Sequence, residues 1–120
     1  MLLDKAKQET EVKQLKYAFI QVMLIAARKV PATLVLHDIQ HFLPLIPHFI
    51  ETSINLEPWI YDEDVTWTFI AIARFYKGQT NYKEAVRWSE HCLTIAKRRF
   101  DDEHLEIALC PSNLAKLHYI

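Results

Sequence analysis

Residues 64–85 read DVTWTFIAIARFYKGQTNYKEA and hold two apolar helical patterns separated by the short break Gly78-Gln79-Thr80. Two helices joined by so few residues become antiparallel neighbours, so this stretch predicts a helical hairpin. Part of its pattern returns 42 residues later: Val65, Ile72, Ala73, Arg74 and Phe75 are repeated by Ile107, Leu114, Ala115, Lys116 and Leu117. A fixed period of this size is typical of helix pairs stacked into a solenoid.

The composition indicates one all-α domain. The chain has 120 residues, of which 51% are hydrophobic and 24% charged, and it contains one Gly and five Pro. This length favours a single domain, and so few glycines argue against an all-β fold with many tight turns. Lys and Arg number 14 against 15 Asp and Glu, so the chain has no net basic charge that would attract a nucleic acid. We expect no nucleic-acid partner.

The cysteines and the N-terminus indicate a cytoplasmic protein. Cys92 and Cys110 lie in predicted helices, and the first residues, MLLDKAKQETEVKQ, do not resemble a secretory signal. We therefore expect reduced, buried thiols rather than a disulfide framework. The most apolar run, residues 17–27, is about half as long as the roughly 20 residues that a membrane-spanning helix needs, so we expect no membrane segment.

Residues 4–29 are predicted to form one long helix that ends before Pro31. Its recurring apolar stripe consists of Val12, Leu15, Phe19, Val22, Met23 and Ala26. The second half, YAFIQVMLIAA, is apolar almost all round. A helix of that kind is buried on more than one side, so we expect it to contact a following helix and a further partner surface.

Further helices follow at shorter intervals. We expect a short helix over residues 32–42 with Thr33 as its N-cap, and another from Ile46 or Pro47 to Asn55. The inward face of the latter is predicted to be Phe49, Ile50, Ser53 and Ile54. The hairpin helices are expected at residues 63–77 and 81–100, and a last helix, kinked at Pro111, from residue 103 onwards. The charge clusters at residues 62–64 and 97–99 fit helix ends, where they complement the helix dipole.

Several motifs of the hairpin resemble the tetratricopeptide repeat, in the 42-residue form found in kinesin light chain. They are Ile72-Ala73 with Phe75-Tyr76, then Gly78-Gln79, the run from Asn81 to Ala85, and the run from Cys92 to Ala96. The resemblance covers residues 64–120 and implies an α-α superhelix, a right-handed stack of antiparallel helix pairs. Residues 1–60 would then be N-terminal capping helices of a single domain, and residues 61–120 one and a half repeats. The chain departs from the family at Thr80, Ser89 and Pro111, where the repeat has Gly, an aromatic residue and Leu.

A second resemblance concerns the run HFLPLIPHFIE, residues 41–51, and the Trp-containing linker after it. This region looks like the helical segment that introduces the repeats in bacterial regulators with an upstream NB-ARC, or STAND-class, NTPase. No phosphate-binding loop of the GxxxxGK[ST] type occurs in the sequence, so ATP hydrolysis does not carry over. The resemblance implies the sensor or scaffold part of such a regulator.

In tetratricopeptide repeats the first helix of each pair lines a groove that receives an extended peptide. The resemblance therefore implies a peptide-binding groove lined by Trp67, Ile70, Arg74, Lys77, Ser112, Asn113 and Lys116. Cations beside an amide can hold a carboxylate through charge-assisted hydrogen bonds, so we expect an acidic or C-terminal peptide. The alternative is that these cations are solvated surface residues.

No residue pattern predicts catalysis, a cofactor or a metal. His37 and His41 are four residues apart and could share a helix face for Zn, but no HExxH motif or cysteine pair supports that site. Cys92 is interpreted as a packing residue rather than a nucleophile. We therefore expect a non-catalytic protein–protein interaction module. The alternative is an oligomerisation element, a homodimer formed through the apolar face of the C-terminal helix at Leu114, Leu117 and Ile120.

Overall fold

The computed structural model describes the backbone of residues 2–100 and the side chains from residue 5 onwards. In that part of the chain every regular element is helical, which confirms the all-α prediction. The helices are α1 (Leu2–Arg28), α2 (Leu36–Phe42), α3 (Ile46–Asn55), α4 (Trp67–Gly78) and α5 (Tyr82–Arg99), with short 3-10 turns at Leu43–Leu45 and Glu57–Trp59. The predicted second repeat, including Cys110 and the kink at Pro111, lies outside the described residues. None of the described helices is both long and apolar enough to cross a bilayer.

The hairpin prediction is confirmed. α4 and α5 are joined by three residues and pack closely, with the rings of Phe69 and Trp88 6.2 Å apart. Thr80 turns the chain with a left-handed φ of 60°. Asn81 then caps α5, because its side chain accepts a hydrogen bond from the backbone N–H of Glu84 at 3.4 Å. The turn lies where the sequence places the break.

α4 is the central helix of the described structure. It packs against α1, α3 and α5, and its buried side chains are Thr68, Phe69, Ile70, Ala71, Ile72, Ala73 and Phe75. A helix that is covered on several sides in this way needs apolar residues around most of its circumference. α5 adds Trp88, Cys92 and Ala96 to the same core, and its Ala85 is also fully buried. The small residues of α5 allow the two backbones to approach each other, and the buried Cys92 packs there as predicted.

The predicted apolar stripe of α1 is confirmed only in part. The core side of this helix consists of Ile20, Met23, Leu24 and Ala27, whereas Val12, Leu15 and Val22 are more than half exposed. Met23 belongs to both sets, and Phe19 and Ala26 of the predicted stripe are half-buried and pack against the core. Because the second half of α1 is apolar almost all round, its sequence does not specify which side turns inward, and packing against α3 and α4 makes the choice.

Two helices begin later than predicted. α2 begins at Leu36 instead of residue 32, and its first turn is capped by Asp38, whose carboxylate accepts from the backbone N–H of Val35 at 3.0 Å. Thr33 is therefore not the N-cap. α4 begins at Trp67 instead of residue 63, because residues 62–66 form turns before the helix. In α3, Phe49 and Ser53 are buried as predicted, but Ile54 is 50% exposed.

Candidate functional site

The described part of the predicted groove forms one stripe along α4. The stripe consists of Trp67, Ile70, Arg74 and Lys77. These residues are three or four positions apart and so share one side of the helix. Ile70 is 3% exposed and belongs to the core, whereas Trp67, Arg74 and Lys77 are half-buried. The other predicted groove residues, Ser112, Asn113 and Lys116, lie outside the described residues, so the groove as a whole stays a prediction.

The end of α1 and the segment after it run beside this stripe. The Arg28 guanidinium lies 5.9 Å from the centre of the Trp67 ring and forms an ion pair with Asp64, just before α4. At the other end of α4, a Cβ on Gly78 would lie 2.9 Å from Cβ of Leu34. The side of α4 expected to face a ligand is therefore partly covered by the chain's own residues 28–34.

Arg74 is hydrogen-bonded to this segment. Its Nη1 donates a hydrogen bond to the backbone oxygen of Val30 at 3.1 Å, and the oxygen belongs to the residue that follows the end of α1 by two positions. Burial lowers the pKa of Arg74, because it removes part of the water around the guanidinium. An arginine nevertheless stays cationic and has five N–H donors. Arg74 therefore holds the segment in place while some of its donors stay available to a ligand.

A charge cluster around the buried carboxylate of Glu57 joins the end of α5 to the connector after α3. Nε of Arg99 donates to Oε1 of Glu57 at 3.0 Å, and Nη1 donates to the backbone oxygen of Ile60 at 2.7 Å and to Asp62 at 2.9 Å. Arg98 also forms an ion pair with Glu57, which is only 6% exposed. Burial alone would lower the pKa of Arg99, but its hydrogen bonds to Asp62 and Glu57 and their negative charges outweigh this and raise it.

The ion-pair partners in this cluster were not predicted from the sequence. The basic run at residues 97–99 was expected only to complement the helix end, and it does lie in the last turn of α5. The ion pairs with Glu57 join residues about 40 positions apart, and no local sequence pattern predicts such a contact. The available signal was Glu57, the one acidic residue in the otherwise apolar run of residues 56–60.

An open groove lies between the first half of α1 and the chain around Trp59. Two adjoining hollows of about 430 and 330 Å³ have an apolar floor of Val12, Leu15, Phe19, Leu56 and Trp59. Lysines line the rim, and Nζ of Lys16 lies 5.0 Å from the centre of the Trp59 ring, a cation–π contact. This groove was not predicted, because the sequence assigned Val12 and Leu15 to the core.

His37 and His41, the two histidines considered as zinc ligands, do not belong to a group of three or more metal-ligating side chains among the described residues. His37 and His41 are both exposed, and the His41 ring packs edge-on against Phe42 at 4.9 Å. Among residues 5–100 no three His, Cys, Asp or Glu side chains are grouped as metal ligands.

The chain matches no family model, no curated protein and no solved structure. The resemblance to the tetratricopeptide repeat therefore depends on its motif residues alone. One described feature agrees with it: Thr80 adopts a left-handed φ at the position where the repeat has Gly, the residue that tolerates this conformation best.

Proposed function

We propose that the chain is a non-catalytic, cytoplasmic protein-interaction module that binds an acidic or C-terminal peptide along α4. In this proposal the helix pairs form a right-handed stack of the tetratricopeptide type. The observation that carries it is the shared stripe of Trp67, Arg74 and Lys77, three half-buried side chains on one side of the central helix. An aromatic ring followed by two cations offers an apolar contact and charge-assisted hydrogen bonds to the same extended peptide.

The chemistry of the stripe favours a carboxylate ligand. Lys77 has three donors, and Arg74 has more donors than its bond to Val30 uses. A peptide carboxylate bound beside both cations would displace the water around them. Its negative charge would pair with theirs, so no charge would be buried without a partner. Such a module fits the sensor or scaffold part of a bacterial STAND-like regulator, which is the context that the sequence resemblance implies.

Peptide titration tests this function. Acidic peptides, free and C-terminally amidated, are titrated into the full chain while Trp fluorescence or heat of binding is followed. Lys77→Ala is the informative variant, because Arg74 also anchors Val30 and its removal would disturb the fold. We expect about a tenfold loss of affinity, the size of a charge-assisted hydrogen bond.

Lys83→Ala is the matched control, since Lys83 is an exposed lysine on α5 and does not belong to the stripe. Its affinity for the peptide should equal that of the parent chain. Equal affinities for all three proteins, or no binding of any acidic peptide, would exclude a binding role for the stripe.

A second candidate function is self-association. The predicted surface for it, the C-terminal helix, lies outside the described residues. A different observation supports this candidate, namely large apolar side chains on α1 that are more than half exposed. Light scattering coupled to size exclusion, over a hundredfold range of concentration, separates a monomeric receptor from a self-associating element.

A further inference from the structure

α1 carries a second apolar side opposite its core side. Leu15, Val22 and Ile25 are 69%, 58% and 53% exposed, and Ala18 is exposed between them. At 3.6 residues per turn these four positions form one straight row, which we call the outer row. The core residues Ile20, Met23, Leu24 and Ala27 project from the opposite side of the helix. A row of this kind is a surface for another helix, since monomeric proteins seldom expose contiguous apolar side chains.

A charged residue flanks the apolar part of the outer row at each end. Glu11 lies one turn before Leu15, and Lys29 lies one turn after Ile25; both are exposed. The residues beside the row, Gln14 and Gln21, are neutral. Counted outward from its apolar middle, the row therefore meets a carboxylate first at one end and an ammonium first at the other, with Lys7 one turn beyond Glu11. In an antiparallel pair centred on residue 20, Lys7 would face the neutral Thr33, so the flanking pair is Glu11 with Lys29.

This order makes the row complementary to itself in one orientation only. In an antiparallel pair centred on residue 20, Leu15 faces Ile25 of a second copy, Ala18 faces Val22, and Glu11 faces Lys29. The same contacts recur on the other side of the two-fold axis, as an isologous interface requires. A parallel pair in register would instead place Glu11 against Glu11 and Lys29 against Lys29, which is unfavourable.

We propose that the outer row of α1 is a homodimer interface in which two copies pack α1 against α1, antiparallel and two-fold symmetric. The core side of α1 faces the opposite way, so the remaining helices of each copy lie on the outside of the pair. The small Ala18 near the axis allows close approach of the two helices. This proposal specifies the surface for the second candidate function above and is independent of the α4 stripe.

Exchanging the charges at residues 11 and 29 tests the orientation of the two helices. The dimer dissociation constant is measured by analytical ultracentrifugation, and a value between about 1 µM and 1 mM is expected for one helix pair. Glu11→Lys places Lys against Lys29 twice in the dimer, and Lys29→Glu places Glu against Glu11 twice. We expect each to weaken the dimer about tenfold and the double exchange to restore it. Failure of the double exchange to restore the dimer would overturn the antiparallel pairing.

An apolar-to-charged exchange tests the surface itself. Val22→Glu puts two carboxylates into the middle of the interface, and we expect the dissociation constant to rise at least about 100-fold. Since Val22 is exposed in one copy, the helical circular dichroism should not change, and neither should the unfolding midpoint at a concentration where the parent chain is monomeric. The matched control is Ile54→Glu, which alters an equally exposed apolar residue on α3.

Each remaining outcome overturns the proposal. They are a parent chain that stays monomeric at about 1 mM, a dimer that Val22→Glu leaves intact, and a dimer that Ile54→Glu breaks equally. A failed dimer is distinguishable from a failed receptor, because peptide affinity is read from Lys77→Ala against the parent chain and does not depend on residue 22.

Discussion

The guanidinium of Arg99, in the last turn of α5, donates through Nε to the buried carboxylate of Glu57 at 3.0 Å. The Arg99 side chain is 15% exposed and the Glu57 side chain 8%, so both charges lie largely out of water. A buried carboxylate without its partner is costly. This pair fixes the end of the hairpin to the connector after α3.

Arg99→Ala should lower the free energy of unfolding by about 3 kcal/mol, because it leaves the carboxylate of Glu57 buried with only one cation. Arg98→Ala is the control. It removes the other cation of Glu57, but that side chain is 62% exposed, so a loss below about 1 kcal/mol is expected. Urea denaturation of the two variants measures both values, and equal losses would show that Arg99 has no special role.

The hydroxyl of Ser53 donates to the hydroxyl of Thr68 at 2.6 Å between α3 and α4, and both residues are buried. Ser53→Ala and Thr68→Val should each cost about 1–2 kcal/mol, since each leaves a buried hydroxyl without this partner. The double variant should cost less than the sum, because both polar groups are then gone. Thr94→Val is the control: its hydroxyl is exposed and bonds only within α5. Additive losses in the double variant would contradict a direct interaction.

Thr80→Gly should stabilise the protein by about 0.5–1 kcal/mol. A left-handed φ costs a β-branched residue about 1–2 kcal/mol, and the greater freedom of glycine in the unfolded chain offsets part of the gain. The same exchange at Thr94, an exposed helical position on α5, should be slightly destabilising. Thermal unfolding of the two variants compares them, and a lower melting temperature for Thr80→Gly would refute the expectation.

Gly78→Ala should destabilise the protein by about 1 kcal/mol, although alanine is the better helix former. The new Cβ would lie 2.9 Å from Cβ of Leu34, which forces the two segments apart. Leu34→Ala should not rescue this variant, since it keeps the Cβ atom that is in the way. An increase in the denaturation midpoint of Gly78→Ala would show that the segment after α1 can move away from residue 78 without a loss of stability.

Local sequence patterns predicted the elements well where a helix had clear ends. Pro47 located the start of α3, and the break at Gly78-Gln79-Thr80 located the end of α4 and the start of α5, each to within a few residues. Turn and cap residues give this accuracy because they act on the backbone beside them. Predictions of helix starts failed for α2, whose first turn is capped by the nearby Asp38 and not by Thr33, and for α4. Asp64 was expected in the first turn of α4, and the structure places it before the helix in an ion pair with Arg28.

The candidate site on α4 was likewise predictable only in part from the sequence. The spacing of Trp67, Arg74 and Lys77 was enough to place them on one side of a helix. Their surroundings were not predictable, since the bond from Arg74 to Val30 and the approach of Leu34 to Gly78 join residues 44 positions apart in each case. Such contacts depend on how whole helices pack.

The sequence by itself determined that the regular elements within residues 2–100 are helices, where most of them end, and that α4 and α5 form a hairpin, because these features follow from apolar periodicity and turn chemistry within a few residues. Only the tertiary structure decided which side of α1 is buried. Both sides of that helix are apolar enough to enter a core, so the choice depends on the total packing of Ile20, Leu24 and Ala27 against distant helices. The same choice leaves Leu15, Val22 and Ile25 on the outside.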